Sequence, residues 1–545
     1  MRKKSFVVLL ILLLTFSTSC VSENVNYATE QYYPEPESAN VSHEESVTEP
    51  TPDPTAKPTN EPPITNTTTE EPPPNTLADN IELPQNTVSI SAAHGQNLAV
   101  MADGSLWSWG EHCVGWFSNV GDGTTEARHV PVKIMENVIH AVAGPHHSFA
   151  ITADGFMYTW GGNSWGNLGD GTTAVRLSPI RVLDDVIYAA MPLGVPCSHV
   201  GYIGARTYAI RSDNSLWAWG HATGAAWPVA LGDGGYTNQH SPVKIMENVR
   251  TVVPTGPGGF AITNDNVLWQ WHGRSWMPNS DGGDPIEIPA QLSPAPIKEN
   301  IASISSCGNF AITTGNELFS LGTFLHITEP EYIMSDIIYA TRLGRANFAI
   351  TAEGTLYAWG ENRLPSHWRS GPTLGDGTTI DRETPVRIME NITQVLAIGN
   401  TVYAIGHDGT LWGWGNFGAS WGGGILIGDG SEFIAPDNPE EFWEYAYTYD
   451  GANHFPSGLR WLLPDCGGTN LRLSPVKIME NVVQVAATYY MFDHGWIRSF
   501  RAFAITENGE LWAWGENDDF DRDFSLLGDG TSERRAYPVL IVYGK

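Results

Sequence analysis

MYTWGGNSWGNLGDGTT, residues 157–173, holds the architecture of the chain in miniature. Its first five letters follow a pattern of Leu or Met, an aromatic, any residue, Trp and Gly. The pattern returns as LWSWG (106–110), LWAWG (216–220), LWQWH (268–272), LFSLG (318–322), LYAWG (356–360), LWGWG (411–415) and LWAWG (511–515). Upstream of each anchor runs an apolar stretch with a recurring alanine, at 99, 150, 209, 261, 311, 349, 404 and 504. Between the two runs lies a pair such as Asp103-Gly104, Asp154-Gly155 or Asn508-Gly509. Asp-Gly and Asn-Gly supply the positive φ angles of a tight hairpin, so the flanking runs read as antiparallel strands. Downstream comes a loop often ending in Gly-Asp-Gly, then a Pro-led strand, PVKIMENV at 131–138, 242–249 and 475–482 and PVRIMENI at 385–392. A short strand such as Ile139–Val142 opens the next unit.

Each unit is therefore four strands, A to D, and a four-stranded meander repeated radially is a propeller blade. In strand C the two aromatics share one face of the pleat. The recurring alanine of strand B suits a tight place where blades converge. The Asp of each Gly-Asp-Gly (Asp122, Asp170, Asp233, Asp376, Asp429, Asp529) reads as a turn-former that accepts from nearby backbone.

Trp-Gly followed by Gly-Asp-Gly and a Pro-led strand resembles the regulator-of-chromosome-condensation repeat family, over residues 88–542. The resemblance implies an all-β propeller, with seven blades usual in the family; eight units are counted here, the fifth (302–337) being short and without its Trp and Gly-Asp-Gly. It also implies two kinds of role: guanyl-nucleotide exchange, as in chromatin-bound members, and ligand binding, as in secreted bacterial members. The second agrees better with the ends of this chain.

Arg2, Lys3 and Lys4 precede the apolar run Phe6–Leu14, and Ser17-Thr18-Ser19 lead to Cys20. Residues 1–20 read as a lipoprotein-type signal peptide with Cys20 as the lipidated residue, a plain secretory signal being the alternative. Residues 21–85 hold 12 Pro and 13 Asp or Glu against one Lys, Lys57. Such a segment buries too little apolar area to offset chain entropy, and reads as a disordered spacer. The expectation is an exported, membrane-anchored, monomeric protein at the cell surface, with the propeller at 86–545. Formal charge is −31 over 545 residues, which argues against nucleic acid as a partner.

Strand alternation puts A–B and C–D loops on one face and the tight B–C and D–A turns on the other. The long segments all fall on the first face: 191–205, 488–500 and an insertion at 416–473. Aromatics concentrate there. Trp116, Trp165 and Trp421 follow their anchors, Trp443, Tyr445, Tyr447 and Trp461 lie in the insertion, and Tyr490 and Trp496 lie in 488–500. Exposed Trp and Tyr are hot spots for protein partners and platforms for sugars. These nine are the candidate ligand-binding residues, the alternative for the repeat Trp being a plug folded onto its own blade. A short helix is expected from about Pro439 to Tyr447, after the N-cap Asn438.

Catalytic motifs lack a suitable context. Gly162-Asn163-Ser164-Trp165-Gly166 matches a nucleophile elbow only in letters, because its Ser lies in a repeat loop. His146 and His147 read as turn or packing residues. Asp519, Asp521 and Asp523 mimic the first ligands of a calcium loop, but Phe524 stands where Gly is needed and Gly530 where Glu is needed. A solvated acidic loop is the preferred reading, and a metal site the weaker one. No cofactor is called for. Cys113, Cys197, Cys307 and Cys466 lie in four different units, as disulfides or free thiols. The function expected is a non-enzymatic binding module for an extracellular protein or glycan. The alternative is a carbohydrate-active enzyme using acids of the insertion such as Glu440 and Glu444.

Overall fold

A computed structural model describes residues 86–541, apart from 94, 112–119, 193–204, 224–228, 278–285, 307, 323–329, 363–372, 400, 417–426, 430–470, 492–496 and 518–525. The leader with Cys20, the spacer 21–85 and the helix expected at 439–447 lie outside the described residues, which contain strands and turns but no helix.

Eight four-stranded antiparallel sheets follow one another along the chain, each built from strands in chain order. The second is typical: Val138–Ala143, His147–Thr152, Met157–Gly161 and Arg176–Leu183 form strands A to D. The short fifth unit is a complete blade, with strands Ile301–Ile304, Phe310–Thr313, Leu318–Ser320 and Glu331–Met334. The count is thus eight, not the seven usual in the family. Blade 4 adds a small hairpin, Ser275–Met277 with Ile286–Ile288, between its strands C and D.

Blade 8 packs on blade 1 and closes the ring. One apolar cluster joins Ile90, Ala99 and Trp109 of blade 1 to Phe503, Leu511 and Leu527 of blade 8. All eight recurring alanines are fully buried, as expected for the place where blades converge.

Two devices hold neighbouring blades together. The first is a packing contact. A Cβ placed on Gly121 of blade 1 would lie 2.7 Å from Trp160 Nε1 of blade 2. Gly169 meets Trp219 in the same way, Gly375 meets Trp414, Gly428 meets Trp514, and Gly528 of blade 8 meets Trp109 of blade 1. The first glycine of each Gly-Asp-Gly is therefore the seat of the next blade's anchor Trp. Blade 4 has no Gly-Asp-Gly before its strand D, and blade 5 carries Leu321 where the Trp would be; blade 6 keeps Trp359 although blade 5 also lacks the Gly-Asp-Gly.

The second device is a backbone ring on the tight-turn face. At the junction of blades 1 and 2, Val138 N donates to Gly104 O and Ala153 N to Asn137 O. The same pair of bonds recurs at every junction, ending with Thr87 N to Gly509 O and Ala102 N to Asn86 O between blades 8 and 1. The turns need left-handed residues. Gly104 (φ 80°) and Gly155 (φ 79°) serve in B–C turns, while Asn137 (φ 59°) and Asn391 (φ 59°) serve in the Met-Glu-Asn turns. Asn tolerates this region better than other non-glycine residues.

Candidate functional site

The opposite face is built outward from the last residue of strand C and the strand B residue that pairs with it across the hairpin: His147 with Gly161, Arg206 with Gly220, Arg501 with Gly515. One residue further on, the chain leaves strand C and its amide donates to the A–B turn of the same blade. Glu111 N donates to Gly95 O, His221 N to Ala205 O, Glu361 N to Arg345 O and Glu516 N to Phe500 O. A–B turns and C–D loops thus meet on one face, as strand alternation requires.

A C–D loop is pinned by one Asp. In blade 2, Asp170 Oδ1 accepts from Thr172 N at 3.0 Å, and Arg176 Nε and Nη2 donate to Asp170 Oδ2 at 2.8 and 2.6 Å. Asn163 braces the loop by donating to Asp170 Oδ1 and accepting from Leu168 N. Burial pushes the Asp170 carboxyl up, but the hydrogen bonds from Arg176, Thr172 and Asn163 outweigh it and hold the group below the usual range. Asp122–Arg128, Asp376–Arg382 and Asp529–Arg535 repeat the pair, and in blade 3 Gln239 replaces the Arg. The turn-forming reading of these aspartates is therefore correct, and the sequence reading missed the arginine. The regular six-residue spacing from Asp to Arg was the available signal.

Blade 7 keeps this pair around its insertion. Strand C ends at Asn416 and strand D begins at Leu471, yet Arg472 Nη2 lies 2.8 Å from Asp429 Oδ2. The blade's own loop runs to Asp429, with Gly428 seated on Trp514. Asp429 and Arg472 thus hold each other although the insertion separates them in sequence. Trp443, Tyr445, Tyr447, Trp461 and Trp421 lie outside the described residues, as do Trp116, Trp496 and the acidic cluster Asp519, Asp521 and Asp523.

Two of the nine candidates can be placed. Trp165 is half-buried between two imidazoles. The His146 ring of its own blade's A–B turn is 5.9 Å from it, and the His221 ring of blade 3 is 5.5 Å away. It therefore bridges blades 2 and 3. Tyr490 lies in strand A of blade 8, paired with Ser499. Here the structure corrects a boundary. Within 488–500, Thr488–Met491 and Ile497–Phe500 are strand, extending the A–B hairpin of blade 8 beyond those of other blades.

The floor of this face holds buried charge that sequence reasoning did not single out. Arg206 and Arg501 occupy the same repeat position and are almost completely buried. Arg206 Nη2 donates to the carbonyl oxygens of Thr255 and Gly256 in blade 4, the latter at 2.6 Å. Its Nε and Nη1 have no hydrogen-bond partner, nor do Nε and Nη2 of Arg501. Burial lowers the Arg501 guanidinium to about 10, against the charge of Glu111, which favours protonation. In blade 2 the position is taken by His147, whose Nε2 lies 2.6 Å from Thr207 Oγ1. Burial, with a smaller contribution from His146, pushes His147 down to about 3. Glu361 faces Arg345 at 3.8 Å and Glu516 faces Arg534 at 3.9 Å. No local pattern marks these groups; they are isolated polar letters at the edge of apolar strands.

Residues 103–151 and 154–191 match the family model for the regulator of chromosome condensation (RCC1) repeat. The chain carries RCC1 repeats. Among curated relatives, the mitochondrial RCC1 domain-containing protein RUG3 of Arabidopsis thaliana is 26% identical over 291 residues, 47% of this chain and 62% of that protein. The human E3 ubiquitin-protein ligase HERC2 is 28% identical over 273 residues, 45% of this chain and 5% of the ligase. The chain thus spans less than two thirds of either relative. Among solved structures, Prp20p of Saccharomyces cerevisiae, described with its binding properties toward Gsp1p and histones, aligns at a TM-score of 0.45 and 15% identity, covering 84% of this chain and 88% of its own.

Proposed function

We propose that this RCC1-repeat propeller is a surface-anchored, non-enzymatic binding module that takes a protein or glycan ligand on the face bearing its A–B and C–D loops. The observation that carries the reading is the contrast between the two faces. One is closed by short turns bonded in a ring. The other carries the extended hairpin of blade 8 and the insertion held by Asp429 and Arg472. Ligand-contacting residues concentrate on loops positioned by a rigid scaffold. Blades 7 and 8 are adjacent, so the aromatics of the insertion and of the blade 8 hairpin form the centre of the proposed site. Lipid on Cys20 would anchor the module outside the cytoplasm, with residues 21–85 as the spacer.

The test is capture of ligands by the chain from an extracellular protein fraction and on a glycan array, followed by affinity measurement with Trp443→Ala and Trp496→Ala. A hot-spot aromatic typically costs about 2 kcal/mol or more when truncated. Both variants should therefore bind at least about tenfold more weakly, with circular dichroism unchanged. If both unfold, and affinity per folded molecule stays at the wild-type value, these residues are plugs and the proposal loses its site.

A further inference from the structure

The tight-turn face has a feature of its own. In blade 2, Val138 pairs with Thr152 and His140 with Ile151, so Ile139 is skipped. The register breaks at the same place in the other seven blades, leaving Val88, Ile187, Arg250, Ala302, Ile338, Thr393 and Val483 unpaired. A bulge re-aims the side chain of its extra residue. Here it sends apolar groups into solvent: Ile139 is 59% exposed, Ile187 56%, Val88 54%, Ile338 50% and Val483 43%. Only four other large apolar side chains among the described residues, Val175, Tyr332, Ile380 and Tyr537, are comparably exposed. Five of nine thus fall on one repeat position.

These residues lie on the inner rim of the ring. Neighbouring A strands are bridged by Gln394 Nε2 to Val483 O, Gln484 Nε2 to Ile90 O and Arg250 Nη2 to Ala302 O. Blades 8, 1, 2 and 3 are consecutive, so Val483, Val88, Ile139 and Ile187 make an unbroken apolar arc. The position is not apolar in every blade, since Thr393 fills it in blade 7 and Arg250 in blade 4, so the unbroken run is confined to blades 8, 1, 2 and 3. Apolar groups gathered in solvent are stabilised only when something covers them.

The charge around the arc identifies the cover. Lys133, Arg181 and Lys244 of this face are each matched by an acid of the adjoining turn, Glu136, Asp184 and Glu247. The B–C turns add Asp103, Asp154, Asp213 and Asp408. Hydrogen bonds from their own turns hold Asp103, Asp213 and Asp408 below the usual carboxylate range. The rim is therefore acidic around an apolar centre. We propose that this arc is a second docking surface, on the face opposite the loops, for a cationic amphipathic segment of a partner protein. Its apolar side chains would cover the arc while its Lys and Arg meet the turn acids. An acidic partner, or a second copy of this acidic chain, would be repelled.

The test uses fluorescence anisotropy with a labelled helical peptide of Leu and Lys, its Leu→Ser form and its Lys→Glu form. Thr already occupies the position in blade 7, so Val88→Thr/Ile139→Thr/Ile187→Thr preserves the fold. That triple variant should weaken binding of the Leu/Lys peptide at least about tenfold. Val175→Thr/Ile380→Thr, exposed on C–D segments of the other face, should leave it unchanged within about twofold. Both altered peptides should bind at least about tenfold more weakly than the parent. Equal losses in the two protein variants, no loss in the triple variant, or undiminished binding of either altered peptide would overturn the proposal. So would sedimentation showing that the wild-type chain dimerises through the arc and the triple variant does not.

Discussion

Gly169 and Gly171 stand two residues apart in the Gly-Asp-Gly of blade 2, both at φ +80°. A side chain at either must sit in the left-handed region, at a cost of about 1–2 kcal/mol. Their surroundings differ. A Cβ on Gly171 meets only Ser241 Oγ, at 3.5 Å, whereas a Cβ on Gly169 falls 2.7 Å from Trp219 Nε1 and 2.9 Å from its Cδ1. Trp219 cannot move aside freely, because its Nε1 donates to Asn167 O at 3.0 Å and its ring is fully buried. Overpacking of this kind adds about 1–3 kcal/mol. Gly171→Ala should therefore destabilise by about 1–2 kcal/mol and Gly169→Ala by about 2–5 kcal/mol. Urea unfolding, followed by Trp fluorescence and by far-ultraviolet circular dichroism, measures both. In a Trp219→Phe background the excess at Gly169 should shrink, since the smaller ring leaves room. Equal penalties for the two glycine variants, or an excess untouched by Trp219→Phe, would refute the Gly–Trp contact as the joint between blades.

Other outcomes follow from the same geometry. Arg472→Leu should speed amide exchange across 471–476, while Arg472→Gln should be milder, because Gln239 serves Asp233 in blade 3. Its cost should be about 1–3 kcal/mol, as for a part-buried charge left without its partner. His140 and His147 are pushed by burial to about 4 and about 3. Both stay neutral when folded and take up protons near pH 6.5 when unfolded, so their stabilisation is complete above that pH. It falls as pH drops toward 4, by about 1 kcal/mol per pH unit for each. His147→Gln should flatten the stability–pH slope between pH 6 and 4 by one proton, read by urea titration across pH. Cys20→Ala should release the chain from membrane fractions if lipid on Cys20 is its anchor; fractionation identical to wild type would remove that anchor.

The repeat was legible because its signals are local. Asp-Gly and Asn-Gly announce the turns, and the alternation of Leu, aromatic and Trp announces strand C even where Leu321 replaces the Trp. What makes a blade fit its neighbour was not legible, because it joins residues far apart in sequence. Gly169 and Trp219 look like independent punctuation until the ring brings them together. The same holds for Arg206, whose partners belong to the next blade. The strand extension at Thr488–Met491 was hidden by the assumption that one blade's A–B turn has the length of another's. Trp165 reads in sequence as a ligand contact or as a plug on its own blade; the imidazoles of His146 and His221 that flank it come from its own blade's A–B turn and from the next blade, which no local pattern shows. The apolar arc escaped notice for another reason. Ile139 and Ile187 read as ordinary strand residues, and only the bulge turns them outward.

The most direct measurement is amide hydrogen exchange of the chain with and without the ligand recovered by capture. The account predicts slowed exchange in the A–B turns and at the starts of the C–D loops, around 221–223, 361–362, 500–502 and 516–517, with the tight turns at 102–105 and 153–155 unchanged. Protection confined to those tight turns, with the loop face exchanging as in the free chain, would contradict it.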